Sequence, residues 1–451
     1  MPSTATQPRE ASVNKPADLT VIRSAAEEAI LSAYPTQRDA APGGAAVVKA
    51  RDRAFDLLKA NGLPTRRVEE WKYTDLRALM RDFPAPAEKP DAATIARADK
   101  LKAAVEAGDV SQVSFVNGYD VTSEAPQGVA WQRVSDAKAL PVEAVRERAY
   151  QDNAAVALNT AFSRDATLLR VAAGTTPARP VKLSFRNVGA AASTFPRVIV
   201  TVEKGASLTL IESHDSANEL AFQTHALIEI DVAEGASVEY IRVDTSGDKA
   251  MTLSTFGLTL AKDATFSSLT VTRGSAVSRQ QIFARIHGTG VKAAFRGAAL
   301  LRGRQHADVT LVTDHAAPHG ESREVFKSVL DDQSRSVFQG KIVVQQAAQK
   351  TDGKMMTQAL LLSEDAEMNA KPELEIFADD VVCGHGATAG ALDEDLLFYL
   401  RSRGVPHKEA EALLVQAFIG EAIEPIAHEG MREALLDLTR DWLASRATLK
   451  G

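Results

Sequence analysis

Cysteine is the scarcest resource in this chain: of 451 residues, only Cys383 carries a thiol. A single cysteine excludes an internal disulfide and fits a reducing compartment. Aromatic residues make up only 6% of the sequence, so a sizeable core has to be built from aliphatic and alanine side chains. Positive charge is not in excess. The formal net charge of −7 argues against the basic face that non-specific nucleic-acid binding requires, and no nucleic-acid partner is expected. No stretch reaches the ~20 apolar residues of a membrane span. Residues 1–16 are polar and lack the apolar run of a signal peptide. The expected compartment is the cytoplasm, with no membrane partner. The phosphate-binding pattern G-x-x-x-x-G-K-[ST] occurs nowhere, so any ATP that is used is expected to be bound by a partner only.

The remaining composition, 45% apolar and 25% charged, is that of an ordinary globular protein, and the length suits two or three domains. Residues 1–17 are rich in Ser, Thr, Pro and Asn and read as a disordered tail. Residues 18–165 read as a mostly helical domain. A first helix from Asp18 places Ile22, Ala25, Ala26, Ala29 and Ile30 on one face, and Pro35 with the Pro42-Gly43-Gly44 cluster ends it. A second, over 45–60, has the stripe Val47, Val48, Arg51, Ala54, Phe55 and Leu58, with Asn61-Gly62-Leu63-Pro64 as its stop. Trp71 and Tyr73 read as anchors against the next domain. Further helices are expected over 92–107 and 142–161, with a strand at 113–116 and a turn at Asn117-Gly118.

From residue 166 to 391 the texture changes. Short alternating runs of β-branched residues recur, for example at 198–202, 237–243, 251–260 and 265–272. Val202-Glu203-Lys204-Gly205-Ala206-Ser207 resembles Val232-Ala233-Glu234-Gly235-Ala236-Ser237, and Leu260-Ala261-Lys262-Asp263-Ala264-Thr265 echoes both. A spacing of about 30 residues lies in the range of solenoid repeats, whose coils bury their inner faces only when stacked. The absence of intervening amphipathic helices disfavours a doubly wound α/β fold, while an antiparallel sandwich fits the strand pattern as well. Residues 392–451 return to helix: Asp393 as a cap, Gly404 as a stop, a second helix from Pro406 with the stripe Ala410, Leu413, Leu414, Ala417 and Phe418, and a third carrying Met431, Leu435, Leu438 and Trp442.

The sharpest candidate site is Cys383-Gly384-His385. In a strand, residues i and i+2 share a face, so thiol and imidazole project side by side. Thiolate and imidazole both suit iron. A buried cysteine beside a backbone-bonded histidine is the bland alternative. Other groupings are weaker. His315 and His319 have helical metal-pair spacing, but Pro318 between them favours a turn. Asp379-Asp380 reads as a polar turn, His428 as a surface or capping group, and His306 and His407 have no matching constellation. The glycines of 384–390 are one residue off a dinucleotide loop and lack its βαβ context.

The run from Lys371 closely resembles the C-terminal signature of the SufB/SufD family of the SUF iron–sulfur cluster assembly machinery. The matching elements are Pro372-Glu373-Leu374-Glu375-Ile376, Asp379-Asp380-Val381, Cys383-Gly384-His385-Gly386-Ala387-Thr388, Leu392-Asp393, Phe398-Tyr399 and Ser402-Arg403-Gly404. Lys327, Phe338-Gln339-Gly340 and Gln349-Lys350-Thr351-Asp352 resemble the family's central block, and Glu69-Glu70-Trp71-Lys72-Tyr73-Thr74 the amino-terminal signature of its SufD branch. The SufB branch would carry more cysteines. The resemblance implies a right-handed parallel β-helix core flanked by helical regions. It also implies a non-catalytic scaffold subunit that pairs with a SufB-like chain and binds a SufC-like ABC-type ATPase through its C-terminal helices. Two ligands leave a tetrahedral iron site half filled. His385 and Cys383 are therefore expected to hold iron or a cluster transiently, with the remaining ligands from the partner and nothing held stably by the chain alone. Exposed coil edges make a homodimer of the isolated chain a further expectation. A carbohydrate-active β-helix enzyme, drawing on Asp231, Glu239 and Asp244, and a plain homo-oligomeric interaction protein are the competing classes.

Overall fold

Each repeat unit of the central region folds into one coil of a parallel β-helix, as seen in a computed structural model that describes residues 22–38, 44–106, 108–138, 141, 146, 148–217 and 220–449. A coil consists of two strands separated by a tight turn. Coil 1 pairs Thr167–Val171 with Val181–Asn187, coil 2 Arg197–Val202 with Ser207–Ser216, coil 3 Gln223–Val232 with Ser237–Asp244, and coil 4 Met251–Leu260 with Thr265–Thr272. Coil 5 is Val277–Ile286 with Lys292–Leu301, coil 6 His306–His315 with Glu321–Leu330, coil 7 Arg335–Val344 with Asp352–Leu361, and coil 8 Glu367–Ile376 with Val382–Gly390. First strands form one sheet and second strands the other, and neighbouring coils pair in parallel. Ser207, Ser237, Thr265, Lys292, Glu321, Asp352 and Val382 stand in one column. The sandwich alternative is excluded by this parallel pairing.

The turn chemistry explains the repeat. Gly205 and Gly235 both have φ of 65°, and Asp263 takes the same place at 55°. Glycine adopts this left-handed backbone without a Cβ penalty, and aspartate tolerates it. The N–H of Gly205 donates to the carbonyl of Glu234 (3.0 Å), that of Gly235 to Lys262 (2.9 Å) and that of Asp263 to Thr289 (2.8 Å), so the turns stack like the strands.

Three layers of apolar packing result. The lumen is filled by inward residues such as Ile228, Ile230, Tyr240, Phe256, Phe266 and Phe295. The outer face of the first-strand sheet is covered by the N-terminal helices α1 (Ala25–Gln37), α2 (Gly44–Asn61) and, after the short α3 (Leu76–Leu79) and α4 (Ala92–Asp99), α5 (Ala154–Phe162). The outer face of the second-strand sheet carries the C-terminal helices. These are α6 (Glu394–Ser402), α7 (His407–Ile423) and α8 (Glu429–Leu449), of which α7 and α8 bury Val415, Ile419, Met431, Leu435, Leu438 and Trp442 against Ile241, Val271, Leu300 and Val329.

Several helical expectations are corrected. Helix α1 runs two residues beyond Pro35, and Ile22 is exposed rather than part of its face. The helix expected over 92–107 stops at Asp99, and Val105 drops instead into the packing under the C-terminal helices. Of the span 142–161, helix begins only where the Asn153 side chain accepts from the Ala155 N–H; residues 142–145 and 147 lie outside the described residues, as does the tail 1–17. In α7 the buried line is Ala410, Val415, Ile419, Ala422 and Ile423, with Leu413 exposed. That helix is apolar on several sides, and periodicity alone does not choose among them. Strands Ser111–Val116 and Ala130–Arg133, within 18–165, pair with Val181–Asn187 and Thr167–Val171 and extend the two sheets beyond coil 1. The Asn117-Gly118 turn joins Ser111–Val116 to Tyr119–Asp120 in a hairpin.

One lumen carboxyl sets a pH dependence. Glu324 is 1% exposed, accepts from Thr313 Oγ1 at 2.7 Å, and its other oxygen has no partner. Burial pushes its pKa up to about 8. The folded chain keeps this proton, whereas the unfolded chain releases it above the ordinary carboxylate range. Glu324 therefore costs stability as pH rises from about 5 to about 8, at about 1.4 kcal/mol per pH unit. Glu324→Gln should remove that slope. In chemical denaturation at several pH values, the variant's advantage over the parent should grow across this window and level off above it.

Candidate functional site

The site is built on coil 8, the last coil among the described residues. Its strand Val382–Gly390 pairs with Asp352–Leu361 on one side only, and Glu367–Ile376 pairs with Arg335–Val344 on one side only. No described strand pairs with the other edge of either, which leaves a template for another chain.

Parallel stacking fixes where the candidate ligands point. Cys383 stands over Gly353 and Ser322, and His385 over Met355, Glu324 and Phe295. Met355 and Phe295 are lumen residues, so Cys383 and His385 both face the lumen side, at its open end. Cys383 is half-buried and packs on the lumen core, while His385 is exposed. Burial pushes the Cys383 thiol up, and the Gly353 backbone N–H offsets part of that. His385 makes no side-chain hydrogen bond among the described residues. No group of three or more His, Cys, Asp or Glu that could hold a metal occurs among the described residues. Thiol and imidazole are brought to one face, but they stand as a pair.

The rim of this face is apolar. Ile376, Phe377 and Val382 are 40%, 60% and 62% exposed, although each belongs to or adjoins coil 8. Helix α6 has no buried residue, and its Leu396, Phe398 and Tyr399 are more than half exposed. Asp393 caps it, accepting from the N–H groups of Asp395 and Leu396, and Gly404 at φ 88° closes it. Exposed large side chains of this density on one end of a molecule mark a contact surface.

The amino-terminal motif reaches the same end from the other side. The Trp71 ring is 2% exposed and lies under the Arg279 guanidinium at 3.9 Å. Arg279 pairs with Asp308, which also accepts from Thr74 Oγ1. The Glu70 carbonyl accepts from Arg279 Nη2 at 2.6 Å and from Gln339 Nε2 at 3.1 Å. Glu69 pairs with Lys371 of coil 8. The motif is thus a strap across coils 5–8. Trp71 is the anchor expected of it. Tyr73 is only partly buried, and Thr74, fully buried, does the work expected of Tyr73. Arg279 and Asp308 had no sequence signal beyond lying in strands. On the opposite face Lys327, 2% exposed, pairs with Glu421 and lies 4.4 Å from the Phe418 ring, fastening α7 to coil 6.

The remaining candidates separate. His315 is buried with Nε2 3.0 Å from Ser322 Oγ, and burial lowers its pKa to about 4. His319 occupies the turn that follows, at φ 59°, as Pro318 implied. His306 lies against Thr74 Oγ1 at 2.9 Å. His428 Nδ1 caps the Met431 N–H at 3.1 Å. Asp380 sits in an exposed turn and pairs with Lys350. The three carboxylates of the sugar-enzyme alternative do not converge. Asp231 is bound by Arg148 outside the first-strand sheet, Glu239 accepts from the Ala427 N–H, and Asp244 is buried beside Arg242.

Two family models match the chain. One, described as SUF system FeS cluster assembly, SufBD core domain, covers residues 185–418. The other, the SufBD protein N-terminal region, covers residues 27–183. An iron–sulfur cluster assembly SufBD family protein of Synechocystis is 31% identical over 402 residues, 84% of this chain and 87% of its own length. The iron–sulfur cluster assembly protein SufD of Escherichia coli is 31% identical over 398 residues, 86% of this chain and 91% of its own. A SufBD family protein of Mycobacterium tuberculosis is 27% identical over 390 residues, 85% and 89%.

Two outcomes follow from the geometry. Trp71→Ala removes the anchor of the strap and should destabilise the chain by about 3–5 kcal/mol, read from denaturant midpoints. Cys383, half-buried and with a raised pKa, should react with iodoacetamide at pH 7.5 more slowly than an exposed model thiol, and the rate should climb with pH as the thiolate forms.

Proposed function

The chain belongs to the SufBD family of SUF-system iron–sulfur cluster assembly proteins, and from that premise we propose that it is a SufD-like, non-catalytic scaffold subunit of a cytoplasmic SUF assembly complex. Its work is done at the open end of coil 8. A SufB-like partner lays its own strands along the two unpaired edges and covers Ile376, Phe377 and Val382. The backbone edge supplies the affinity of such an addition, and the side chains supply the choice of partner. No helix among the described residues is long and apolar enough to cross a membrane.

The observation that carries this reading is the placement of Cys383 and His385, side by side on the lumen side of an unpaired edge strand. Iron, or a forming cluster, is the cargo there and not a resident cofactor. His385 is exposed and is the more direct ligand. Cys383, partly withdrawn and with a raised pKa, lines the interface and is the weaker thiolate donor at neutral pH. Further ligands come from the partner, because a thiol and an imidazole fill half of a tetrahedral site.

A SufC-like ATPase docks on the uncovered α6 with its Phe398 and Tyr399. ATP turnover belongs to that partner. Movement of the C-terminal helices on nucleotide binding is passed to the core through α7, whose Glu421 and Phe418 hold the buried Lys327. The same open edges allow two copies of the chain to pair when the SufB-like partner is missing.

The reading is tested by co-expressing the chain with its SufB-like and SufC-like partners and measuring iron and acid-labile sulfide in the purified complex. His385→Ala should lower the cluster yield with the complex still intact by size-exclusion chromatography. Unchanged yield in that variant, or a complete cluster retained by the monomeric single chain, overturns the assignment.

A further inference from the structure

The outer face of the first-strand sheet carries a cleft beneath α2 that plays no part in the coil 8 site. It is made of two adjoining cavities of about 410 Å³ each, with Leu57, Tyr150 and Asp152 lining both. Volumes of this size are typical of small-molecule sites. The two halves differ in chemistry.

The first half is walled by aromatic and aliphatic groups, among them Trp71, Tyr150, Phe283 and Val312. The Tyr150 and Phe283 rings stack with centroids 4.9 Å apart and planes within 13°. The Tyr150 hydroxyl is fixed by Glu229 Oε1 at 2.9 Å, so this wall is pre-formed. Asn153 and Gln281 pair through their amides. Asn153 Nδ2 donates to Gln281 Oε1 and Gln281 Nε2 donates to Asn153 Oδ1, both at 3.0 Å. One N–H of the Asn153 amide is left over for an acceptor on a bound ring.

The second half is lined by Lys49, Arg53, Arg146, Arg148 and Arg197 against Asp152 and Glu229. Asp231 binds Arg146 and Arg148 from outside the lining. Among the described residues five cations thus face three carboxylates, and Arg53 pairs with Asp152 at 3.2 Å. Arg148 spans Glu229 and Asp231, and Arg197 is held by Glu229 at 3.0 Å while its buried Nε has no acceptor. Lys49 and Arg53 lie at the exposed rim.

We propose that this cleft binds a nucleoside monophosphate. The planar base stacks on the Tyr150–Phe283 wall with its edge toward the Asn153 amide, and the phosphate dianion meets the cations at Arg197 and Lys49. Stacking on an aromatic wall and charge-assisted bonds from guanidinium groups are the two interactions such a ligand offers. The role is binding alone; the sequence has no P-loop, and no phosphoryl transfer is implied. The cleft shares no lining residue with the Cys383–His385 pair, so its failure would leave the scaffold reading standing.

The test is isothermal titration of the purified full-length chain with AMP, adenosine and inorganic phosphate. AMP should saturate with a Kd below about 1 mM, and adenosine and phosphate should each bind at least about 10-fold more weakly, a loss of about 1.4 kcal/mol apiece. The variant Lys49→Glu, altered at an exposed position of α2, should weaken AMP at least about 10-fold with an unchanged thermal midpoint. Phe283→Leu should weaken AMP and leave phosphate unaffected, which separates a nucleotide site from an anion patch. Absence of saturable AMP binding, AMP binding no tighter than phosphate, or AMP binding untouched by the charge reversal would overturn the proposal.

Discussion

A parallel β-helix satisfies the backbone of every coil from its two neighbours, and a coil with one neighbour is left half satisfied. Backbone donors and acceptors are obligatory groups that seek partners wherever water is excluded. At the coil 1 end the chain extends its own sheets with Ser111–Val116 and Ala130–Arg133. At the coil 8 end no described strand does so. That asymmetry leaves one end of the molecule open, and Cys383, His385, Phe377 and Val382 all lie at it.

The rest of the structure holds this end in shape. Strands stacked in register, ten residues long in coils 5 to 7, give a stiff column, and the strap from Glu69 to Thr74 ties coils 5 to 8 along one face. Arg279, sandwiched between the Trp71 ring and Asp308, is almost fully buried. A buried guanidinium is tolerated when a carboxylate, a carbonyl and a ring face share it. On the other face, buried Lys327 has its charge answered by Glu421 of α7. Lifting that helix would leave an unpaired charge on an apolar sheet, so core and C-terminal helices are energetically coupled. The two straps grip neighbouring coils from opposite sides.

Much of this was legible in the sequence, and the reasons differ by element. The coils announced themselves through the Gly205, Gly235 and Asp263 turns, because a left-handed backbone position restricts the residue that can occupy it. The Cys383–His385 pair was legible because a strand's period of two is rigid. The stripe of Met431, Leu435, Leu438 and Trp442 was legible because Arg432, Glu433, Asp437, Arg440 and Asp441 between them are charged. By contrast, the stripe of α7 is legible only in part, with Ala410 buried and Phe418 packed but Leu413 exposed, because the helix is apolar on several sides and only the sheet it packs on selects Val415 and Ile419. The helix expected over 92–107 ends at Asp99, and Val105 joins the apolar cluster under the C-terminal helices, a packing that no local pattern names. Arg279 and Asp308 were invisible, since an arginine and an aspartate 29 positions apart become partners only when a coil has that length.

By itself the sequence determined the repeat, the strand alternation and the shortage of sulfur, since each depends on residue type at fixed local spacing. It thereby established that this polypeptide brings one thiol and one adjacent imidazole and has no second cysteine to offer. Tertiary structure alone decided which coil is last, that both side chains face its open lumen, which face of α7 is buried, and that an aromatic wall and a cationic pocket share one cleft. Those facts depend on which coil stacks on which, and stacking is a matter of long-range register that local patterns do not encode.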